Sequence, residues 1–154
     1  MGDRLKIAAA RVDTEVWQAT VPLEASMPDP QGYFNAVWYD FSALSRYGAY
    51  GGYVDAGNLV LSGHVDCGRC YNGSSGTAVF WNVRDLRPGD TAQYITRDGR
   101  VTNYVVTSSA SYSSNIDLGP FVSSGAADMT IITCTGTFSG GDYNLRHIVS
   151  LRKT

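Results

Sequence analysis

Short runs of β-branched and other apolar residues, separated by turn-forming residues, are the feature that most constrains this fold. They predict strands at residues 4–12, 15–21, 36–39, 58–65, 91–96, 101–108, 129–134 and 146–153. A convincing helical spacing of apolar side chains occurs only at residues 77–86. Many short strands with one crossover helix indicate a mainly β fold, a closed barrel of about eight strands with one or two short helices. The barrel is expected to form a single domain over residues 1–154.

Residues rich in Gly, Ser and Asn predict the connections between these strands. Residues 28–57 are expected to form a long loop apart from the short strand, and further loops are expected at residues 67–76, 108–125 and 135–144. An Asp-Gly dipeptide at residues 98–99 predicts a hairpin. We find no internal repeat and no domain boundary.

The charge of the chain argues against two kinds of partner. With 12 Lys and Arg against 14 Asp and Glu, the formal net charge is −2, so the chain lacks the basic character that binds nucleic acid or anionic lipid. No apolar run reaches the roughly 18–20 residues that cross a bilayer. The first six residues lack the apolar core of a signal peptide. The protein is therefore either cytosolic, or its targeting segment lies outside this sequence.

One of the predicted strands ends on a cysteine, Cys134. Taken alone, such a cysteine is more often a buried apolar residue than a nucleophile. Thr135 and Gly136 follow directly, which predicts that the strand ends there and that the thiol lies at a rim where it can reach a carbonyl group. The chain has three cysteines, so at least one thiol is left over however they pair.

A histidine and an arginine stand at the edges of two other predicted strands. His64 follows Gly63, which is expected to leave room for a substrate backbone beside the imidazole ring. Arg146 offers a planar fork of donors for the anion that develops on a carbonyl under attack, a geometry that lysine lacks. The other histidine, His147, is expected to pack or to face solvent, so His64 is the predicted general base. The plain alternatives are a core or turn histidine and an arginine in a surface ion pair.

The sequences around these three residues resemble the sortase family. Residues 130–134, Thr-Ile-Ile-Thr-Cys, match its Thr-Leu-x-Thr-Cys signature with Ile131 in place of Leu. Residues 58–66 resemble its Gly-Asn-x-Val-Leu-Ala-Gly-His-x-Asp strand, and residues 143–149 resemble its last strand, where an arginine precedes a valine-rich run. Residues 78–90 are similar to its helix and Gly-Asp turn. The likeness is closest to the class E, F and D sortases of Gram-positive and related bacteria.

The resemblance implies a cysteine transpeptidase that acts on a sorting peptide, Leu-Pro-x-Thr-Gly or Leu-Ala-x-Thr-Gly. Cys134 would attack the Thr carbonyl to form a thioester, His64 would protonate the departing glycine amine, and Arg146 would hold the oxyanion. An amine from a cell-wall precursor or a pilin lysine would then receive the acyl group. We also expect Val65 and Thr133 to contact the substrate.

The resemblance also implies what accompanies the site. No metal or organic cofactor is expected, and no nucleic acid partner. The protein is expected to be a monomer outside the cytoplasm, at the cell surface, held to the membrane only through an anchor outside this sequence. Both general surface anchoring and a specialised or pilus role stay open.

Cys67 and Cys70 have several interpretations. They lie outside the family pattern, in an insertion that is longer than usual. A structural zinc site needs four ligands, and a set that adds His64 and Asp66 would consume the predicted base. A thioredoxin-type motif needs a strand-to-helix junction, whereas a loop rich in Gly, Ser and Asn follows here. We predict a small loop disulfide in an oxidising compartment, with two unpaired thiols as the alternative.

Two other functions compete with the transpeptidase. The same three residues suit a cysteine peptidase that releases the acyl group to water. A non-enzymatic β-barrel binding or structural module would instead contain a buried, unreactive Cys134.

Overall fold

A computed structural model of the protein describes residues 2–22, 27–47, 50–71, 74–139 and 142–154. The strands in this part of the chain are β1 (Asp3–Ile7), β2 (Val12–Thr20), β3 (Ala36–Asp40), β4 (Gly52–Tyr53), β5 (Ala56–Gly57), β6 (Leu59–Ser62), β7 (Asp66–Tyr71), β8 (Ser74–Thr77), β9 (Thr91–Ile95), β10 (Val101–Ser113), β11 (Met129–Ser139) and β12 (Asp142–Lys153). The described helical segments are α1 (Gly119–Val122) and 3₁₀ turns at Ala8–Ala10, Ser42–Tyr47 and Val83–Asp85. None of these helices has the length and apolar character that a membrane span requires.

Eight of the strands close into a barrel in the order β1-β2-β3-β6-β11-β12-β10-β9. The neighbours β2 and β3, and likewise β6 and β11, run parallel. The other neighbouring pairs in the barrel are antiparallel. β4 with β5, and β7 with β8, form two separate ribbons. The predicted mainly β fold with a closed barrel of about eight strands is confirmed.

Burial on both faces explains the continuous apolar runs of the central strands. Leu59 and Leu61 of β6 belong to the main core cluster together with Ile131 of β11. Val60 and Ile132 belong to a second cluster on the other side of the sheet. Because successive side chains of a strand point to opposite faces, β6 and β11 run between two buried layers. Packing on both sides therefore fixes the position of these two strands; Cys134 lies on β11, and His64 follows the end of β6.

The helix predicted at residues 77–86 is wrong. The segment forms turns and one 3₁₀ turn, in which N–H groups bond to the carbonyl oxygen three residues back. Phe80, Val83 and Leu86 are buried at a spacing of three, which matches the three residues per turn of a 3₁₀ helix. The N–H group of Phe80 donates to the His64 carbonyl at 2.9 Å instead of continuing a helix. Tertiary contacts therefore overrode a helical pattern built from weak helix formers.

Several predicted loops are shorter than expected because strands extend into them. Residues 67–76 contribute most of the β7–β8 ribbon. β10 extends to Ser113 alongside β12, and β11 and β12 extend to residues 139 and 142. The strand predicted at residues 4–12 is instead divided by the 3₁₀ turn at Ala8–Ala10. Pairing with a neighbouring strand, rather than local propensity, decides the state of such Ser- and Gly-rich segments.

Asn58, the residue before β6, connects three parts of the fold and offers a stability test. It is fully buried; its Nδ2 donates to the carbonyls of Phe121 and Ser123, both at 3.0 Å, and its Oδ1 accepts from Thr130 Oγ1 at 2.8 Å. Asn58→Ala removes these three hydrogen bonds from the core, although the Ser123 carbonyl still accepts from the Ala126 N–H group at 3.1 Å and the Phe121 carbonyl from Thr130 Oγ1 at 3.3 Å. We therefore expect the free energy of unfolding in urea to fall by about 3 kcal/mol, which is roughly 1 kcal/mol for each lost hydrogen bond.

The matched control is Asn103→Ala, which removes an exposed asparagine that accepts a hydrogen bond from Gln93 at 3.1 Å. We expect it to change the free energy of unfolding by no more than about 0.5 kcal/mol. Equal urea midpoints for the Asn58 and Asn103 variants would contradict the role assigned to Asn58.

Candidate active site

Cys134 lies inside a strand rather than at its end, which corrects the prediction from sequence. β11 continues beyond it to Ser139. The parallel neighbour β6, however, ends at Ser62, which pairs with Ile132. Cys134 therefore lies two residues beyond the last pair with β6. Its thiol is not part of a disulfide and is half-buried, so it becomes accessible where the neighbouring strand stops rather than where its own strand stops.

Arg146 is the cross-strand neighbour of Cys134. The antiparallel register of β11 and β12 pairs the two residues directly, so their Cα atoms lie about 4.5–5.5 Å apart and their side chains share a face. Arg146 Nη1 donates to the carbonyls of Tyr143 and Leu145 at 3.2 and 3.1 Å. A guanidinium carries five N–H donors, so these contacts orient the group and use only part of its capacity.

His64 lies at the same level of the sheet as Cys134, on the opposite side of β11 from Arg146. Because β6 and β11 are parallel with Ser62 opposite Ile132, His64 and Cys134 each lie two residues past this pair. Cys134 and Arg146 thus lie on adjacent strands, and His64 lies in the segment just after the strand on the other side of β11.

Gly63 has a packing role in addition to the one predicted. A Cβ atom at this position would lie 2.8 Å from Phe80 and 2.9 Å from Val79, closer than non-bonded carbon atoms approach. The Gly63 carbonyl accepts a hydrogen bond from Thr133 Oγ1 at 3.4 Å. The missing side chain therefore makes room for Phe80 and Val79, and it lets the chain carrying the next residue, His64, stay close to β11. The predicted room for a substrate backbone stays a prediction.

Two groups from the segment before β3 hold the imidazole of His64. Its Nε2 lies 2.7 Å from the carbonyl oxygen of Pro30, and the ring of Tyr33 lies 5.1 Å from it, centroid to centroid. A carbonyl oxygen only accepts, so Nε2 carries the proton, and in a neutral ring Nδ1 is then the proton acceptor. Neither Pro30 nor Tyr33 was predicted as a contact of His64, because nothing in the sequence pattern of that segment connects it to the histidine.

A cavity of about 570 Å³ brings the predicted site residues together. Its walls include His64, Cys134 and Arg146. They also include Val65 and Thr133, the two predicted substrate contacts. A volume of this size, with a few convergent polar groups, is typical of a binding site for a small molecule or a few residues of a peptide.

Two tyrosine hydroxyls support the other walls of this cavity. Burial raises the pKa of Tyr39 to about 12, and its hydroxyl donates to the Pro28 carbonyl at 2.6 Å. Burial, followed by the hydrogen bond to Asp66, raises the pKa of Tyr143 to about 12, and its hydroxyl donates to the Asp66 carboxylate. Both tyrosines are therefore neutral donors at neutral pH, and neither serves as a general base.

His147 lies on β12, where it is buried and pairs with Ser111 of β10, and it is not a wall of the cavity. Ser109 Oγ lies 2.7 Å from its Nε2, and Ser111 Oγ lies 2.9 Å from its Nδ1. Burial lowers the pKa of His147; Asp85 opposes this shift and Arg84 adds to it. The ring is therefore neutral at neutral pH and held in place by two hydroxyls, which leaves His64 as the histidine available for proton transfer in the cavity.

The side chains of Cys67 and Cys70 lie outside the described residues. Their backbone belongs to β7, and the disulfide between them stays a prediction. Among the side chains that the structure does describe, no group of three or more His, Cys, Asp or Glu forms a metal site.

Comparison with solved structures identifies the class of fold. Sortase A from Corynebacterium diphtheriae, as a lid mutant, matches with a TM-score of 0.67 and 17% identity over 99% of this chain and 69% of that chain. A sortase D5 transpeptidase from Clostridium perfringens matches with a TM-score of 0.62 and 20% identity over 99% and 78%. Sortase E1 from Streptomyces coelicolor, with a tripeptide in its active site, matches with a TM-score of 0.63 and 22% identity over 99% and 87%. At these identities the matches establish the fold.

The family follows from the sequence itself. A family model described as the Sortase domain matches residues 5–154, so the chain belongs to the sortase family, as the motifs predicted. No curated protein sequence matches the chain. Family and fold together support a sortase-type transpeptidase.

Proposed function

We propose that this protein is a cysteine transpeptidase that cleaves a Leu-Pro-x-Thr-Gly or Leu-Ala-x-Thr-Gly sorting signal between Thr and Gly. The acyl group is held as a thioester on Cys134 and then transferred to an amine. One observation carries the proposal: Cys134 and Arg146, on adjacent strands, line a single cavity together with His64, which lies just after the neighbouring strand β6. The placement of a nucleophile beside an imidazole and a fixed guanidinium is the arrangement that acyl transfer requires.

The three residues have distinct roles in the two half-reactions. The Cys134 thiol gives its proton to His64 as its sulfur forms a bond to the Thr carbonyl carbon, and Arg146 donates to the oxyanion. His64 protonates the glycine nitrogen as the C–N bond breaks, which leaves a thioester. In the second half-reaction an amine attacks the thioester carbon, His64 takes its proton, and the C–S bond breaks to regenerate Cys134.

A second cavity supports a binding path for the peptide. It measures about 460 Å³ and shares Met27 and Leu118 with the catalytic cavity. Its other walls include Phe41, Leu44 and Val122, all of which are buried apolar residues. An extended peptide whose scissile bond lies at Cys134 can place an apolar side chain, such as the leading Leu of the motif, in this neighbouring cavity.

The biological setting follows from the family. Sortases act at the cell surface and are usually membrane-anchored, so we propose that this domain works outside the cytoplasm beside an anchored surface-protein substrate. The tripeptide bound in the active site of Streptomyces coelicolor sortase E1 supports a peptide as the acyl donor here. A cell-wall precursor or a pilin lysine is the proposed acceptor.

The direct test mixes the protein with a fluorescent Leu-Pro-x-Thr-Gly or Leu-Ala-x-Thr-Gly peptide and triglycine, and separates the products by liquid chromatography. Ligation of the fluorescent fragment to triglycine is expected. Cleavage without ligation at any triglycine concentration would favour a cysteine peptidase, and no cleavage of any peptide in a sorting-motif panel would contradict the proposal.

Arg146→Lys is expected to reduce kcat for peptide cleavage by roughly 10²–10³-fold, the usual loss when one oxyanion donor is removed. Lysine keeps the charge but lacks the planar fork that the Tyr143 and Leu145 carbonyls orient. The matched control is Arg152→Lys on the same strand, an exposed residue whose guanidinium lies 3.8 Å from Asp128. Activity of Arg146→Lys as high as that of Arg152→Lys would rule out an oxyanion role for Arg146.

A further inference from the structure

The cavity walls include two carboxylates, the exposed Asp29 and the half-buried Asp66, and neither has a role in the steps proposed above. Asp66 lines the cavity together with His64, Cys134 and Arg146, and it accepts a hydrogen bond from the hydroxyl of Tyr143. We propose that Asp66 binds the ammonium group of the acyl acceptor, so that the acyl-enzyme reacts with a cationic primary amine in preference to water. This inference rests on the transpeptidase function and names the chemistry of its second substrate.

The backbone that carries Asp66 is held in place. Asp66 pairs with Thr77 at the base of the β7–β8 ribbon. The carbonyls of the two preceding residues, His64 and Val65, accept hydrogen bonds at 2.9 and 3.0 Å from N–H groups just after β8. Asp66 and His64 are two residues apart on one segment held by these hydrogen bonds, so their separation is fixed. A ligand bound to the carboxylate therefore stays within the same cavity as the imidazole.

Tyr143 orients the carboxylate without neutralising it. Because burial raises the pKa of Tyr143 to about 12, the phenol remains the donor and Asp66 the acceptor at neutral pH. A carboxylate offers about four acceptor positions on its two oxygens, and the phenol occupies one. Asp66 can therefore accept N–H donors from a second group while Tyr143 holds it.

Two charged residues of the cavity, Arg146 and Asp66, contact opposite ends of Tyr143. Its backbone carbonyl accepts from Arg146 at 3.2 Å, whereas its hydroxyl lies at Asp66. Arg84, another cation near this tyrosine, lies over the ring of Trp81 at 3.8 Å. The cavity thus offers a cationic end to the carbonyl oxygen under attack and an anionic end to the nucleophile, and a charge-assisted hydrogen bond favours an ammonium over water at the anionic end.

The transfer step is balanced with respect to protons. The ammonium held at Asp66 releases one proton to water and becomes an amine. Its nitrogen then forms the bond to the thioester carbon and gives a second proton to His64. The C–S bond breaks, and His64 returns that proton to the sulfur of Cys134. The products are an amide, the regenerated thiol and one proton in solution.

The test compares two nucleophiles with wild-type protein and Asp66→Asn. The amino group of triglycine is mainly protonated at neutral pH, whereas hydroxylamine is uncharged and also cleaves thioesters. We expect Asp66→Asn to raise the KM for triglycine by roughly 10–100-fold, the loss of one charge-assisted hydrogen bond, and to leave acyl-enzyme formation and its cleavage by hydroxylamine close to wild type. Asparagine has the same shape and can still accept from Tyr143, so the variant is expected to fold.

Two further variants separate binding from positioning. Tyr143→Phe removes the hydroxyl but keeps the Asp66 carboxylate, so its KM for triglycine should stay close to that of the wild type. An increase in this KM as large as that of Asp66→Asn would mean that Asp66 only supports Tyr143. Asp85→Asn removes an exposed carboxylate that is not a wall of the cavity and should match wild type. An unchanged triglycine KM in Asp66→Asn, with acyl-enzyme still forming, would overturn this inference alone, whereas failure of the wild type to form any acyl-enzyme would overturn the proposed function with it.

Discussion

Cys134→Ala is expected to reduce cleavage of a sorting peptide by at least about 10⁴-fold, because the nucleophile of an acyl-transfer site cannot be replaced by its neighbours. The half-buried thiol lies on β11 between the chain that carries His64 and the strand that carries Arg146. Alanine removes the sulfur and leaves this pairing intact. The measurement is the single-turnover rate of cleavage of a fluorescent Leu-Pro-x-Thr-Gly or Leu-Ala-x-Thr-Gly peptide.

The matched control replaces the other two cysteines together, as Cys67→Ser with Cys70→Ser. Neither is part of the sortase motif, so cleavage should continue in this variant at a rate far above that of Cys134→Ala. Loss of activity in the control with retention in Cys134→Ala would place the nucleophile in the β7–β8 ribbon instead and would contradict the assignment.

His64→Gln is expected to lower kcat by roughly 10²–10⁴-fold, the usual contribution of a positioned general acid and base. Glutamine can still donate a hydrogen bond to the Pro30 carbonyl, as His64 Nε2 does at 2.7 Å, but its amide cannot carry a proton between groups. The variant therefore tests proton transfer while keeping the contact that holds the side chain. Loss is expected in both half-reactions, measured as acyl-enzyme formation and as transfer to triglycine.

His147→Gln is the control for this prediction, since His147 is the other histidine of the chain. Glutamine can satisfy Ser109 and Ser111, which now contact the imidazole, so activity close to wild type is expected. If His147→Gln lost as much activity as His64→Gln, the assignment of His64 as the acid and base would lose its support.

The barrel and the family were predictable because, in the informative segments, the local sequence pattern agrees with the structure that forms. Residues 58–66 and 130–134 combine apolar β-branched runs with fixed polar positions, and the structure gives several of these positions a physical reason. Asn58 bonds to three groups in the core, and Gly63 leaves no room for a Cβ atom beside Phe80. Residues of this kind are constrained by the fold itself, so a motif built from them identifies the family.

Secondary structure was mispredicted where contacts with neighbouring segments override the local pattern of apolar and turn-forming residues. Residues 77–86 have apolar residues at helical spacing, yet their N–H groups are engaged in 3₁₀ turns and by the His64 carbonyl. Thr135 and Gly136 suggested a strand end, yet β11 continues because β12 pairs with it to Ser139. In both cases the deciding partner lies outside the segment itself, and no local propensity carries that information.

The site itself was only partly predictable for the same reason. The motifs led to the proposal of His64, Cys134 and Arg146, which line one cavity, but they did not predict the contacts that orient these side chains. Pro30 acts through a backbone carbonyl, which any residue could supply. Tyr143 acts through a hydroxyl that contacts Asp66, a residue far from it in the sequence. Such contacts are made by the fold and have no signature in a single sequence.

The central claim, that Cys134 carries the acyl group, is tested most directly by intact mass spectrometry of the protein after brief incubation with a Leu-Pro-x-Thr-Gly or Leu-Ala-x-Thr-Gly peptide. The expected result is an adduct with the mass of the peptide segment ending at Thr, located on Cys134 by fragmentation and removed by hydroxylamine. Cleavage of the peptide without such an adduct in the wild type, or an adduct of the same mass that persists in Cys134→Ala, would contradict the account.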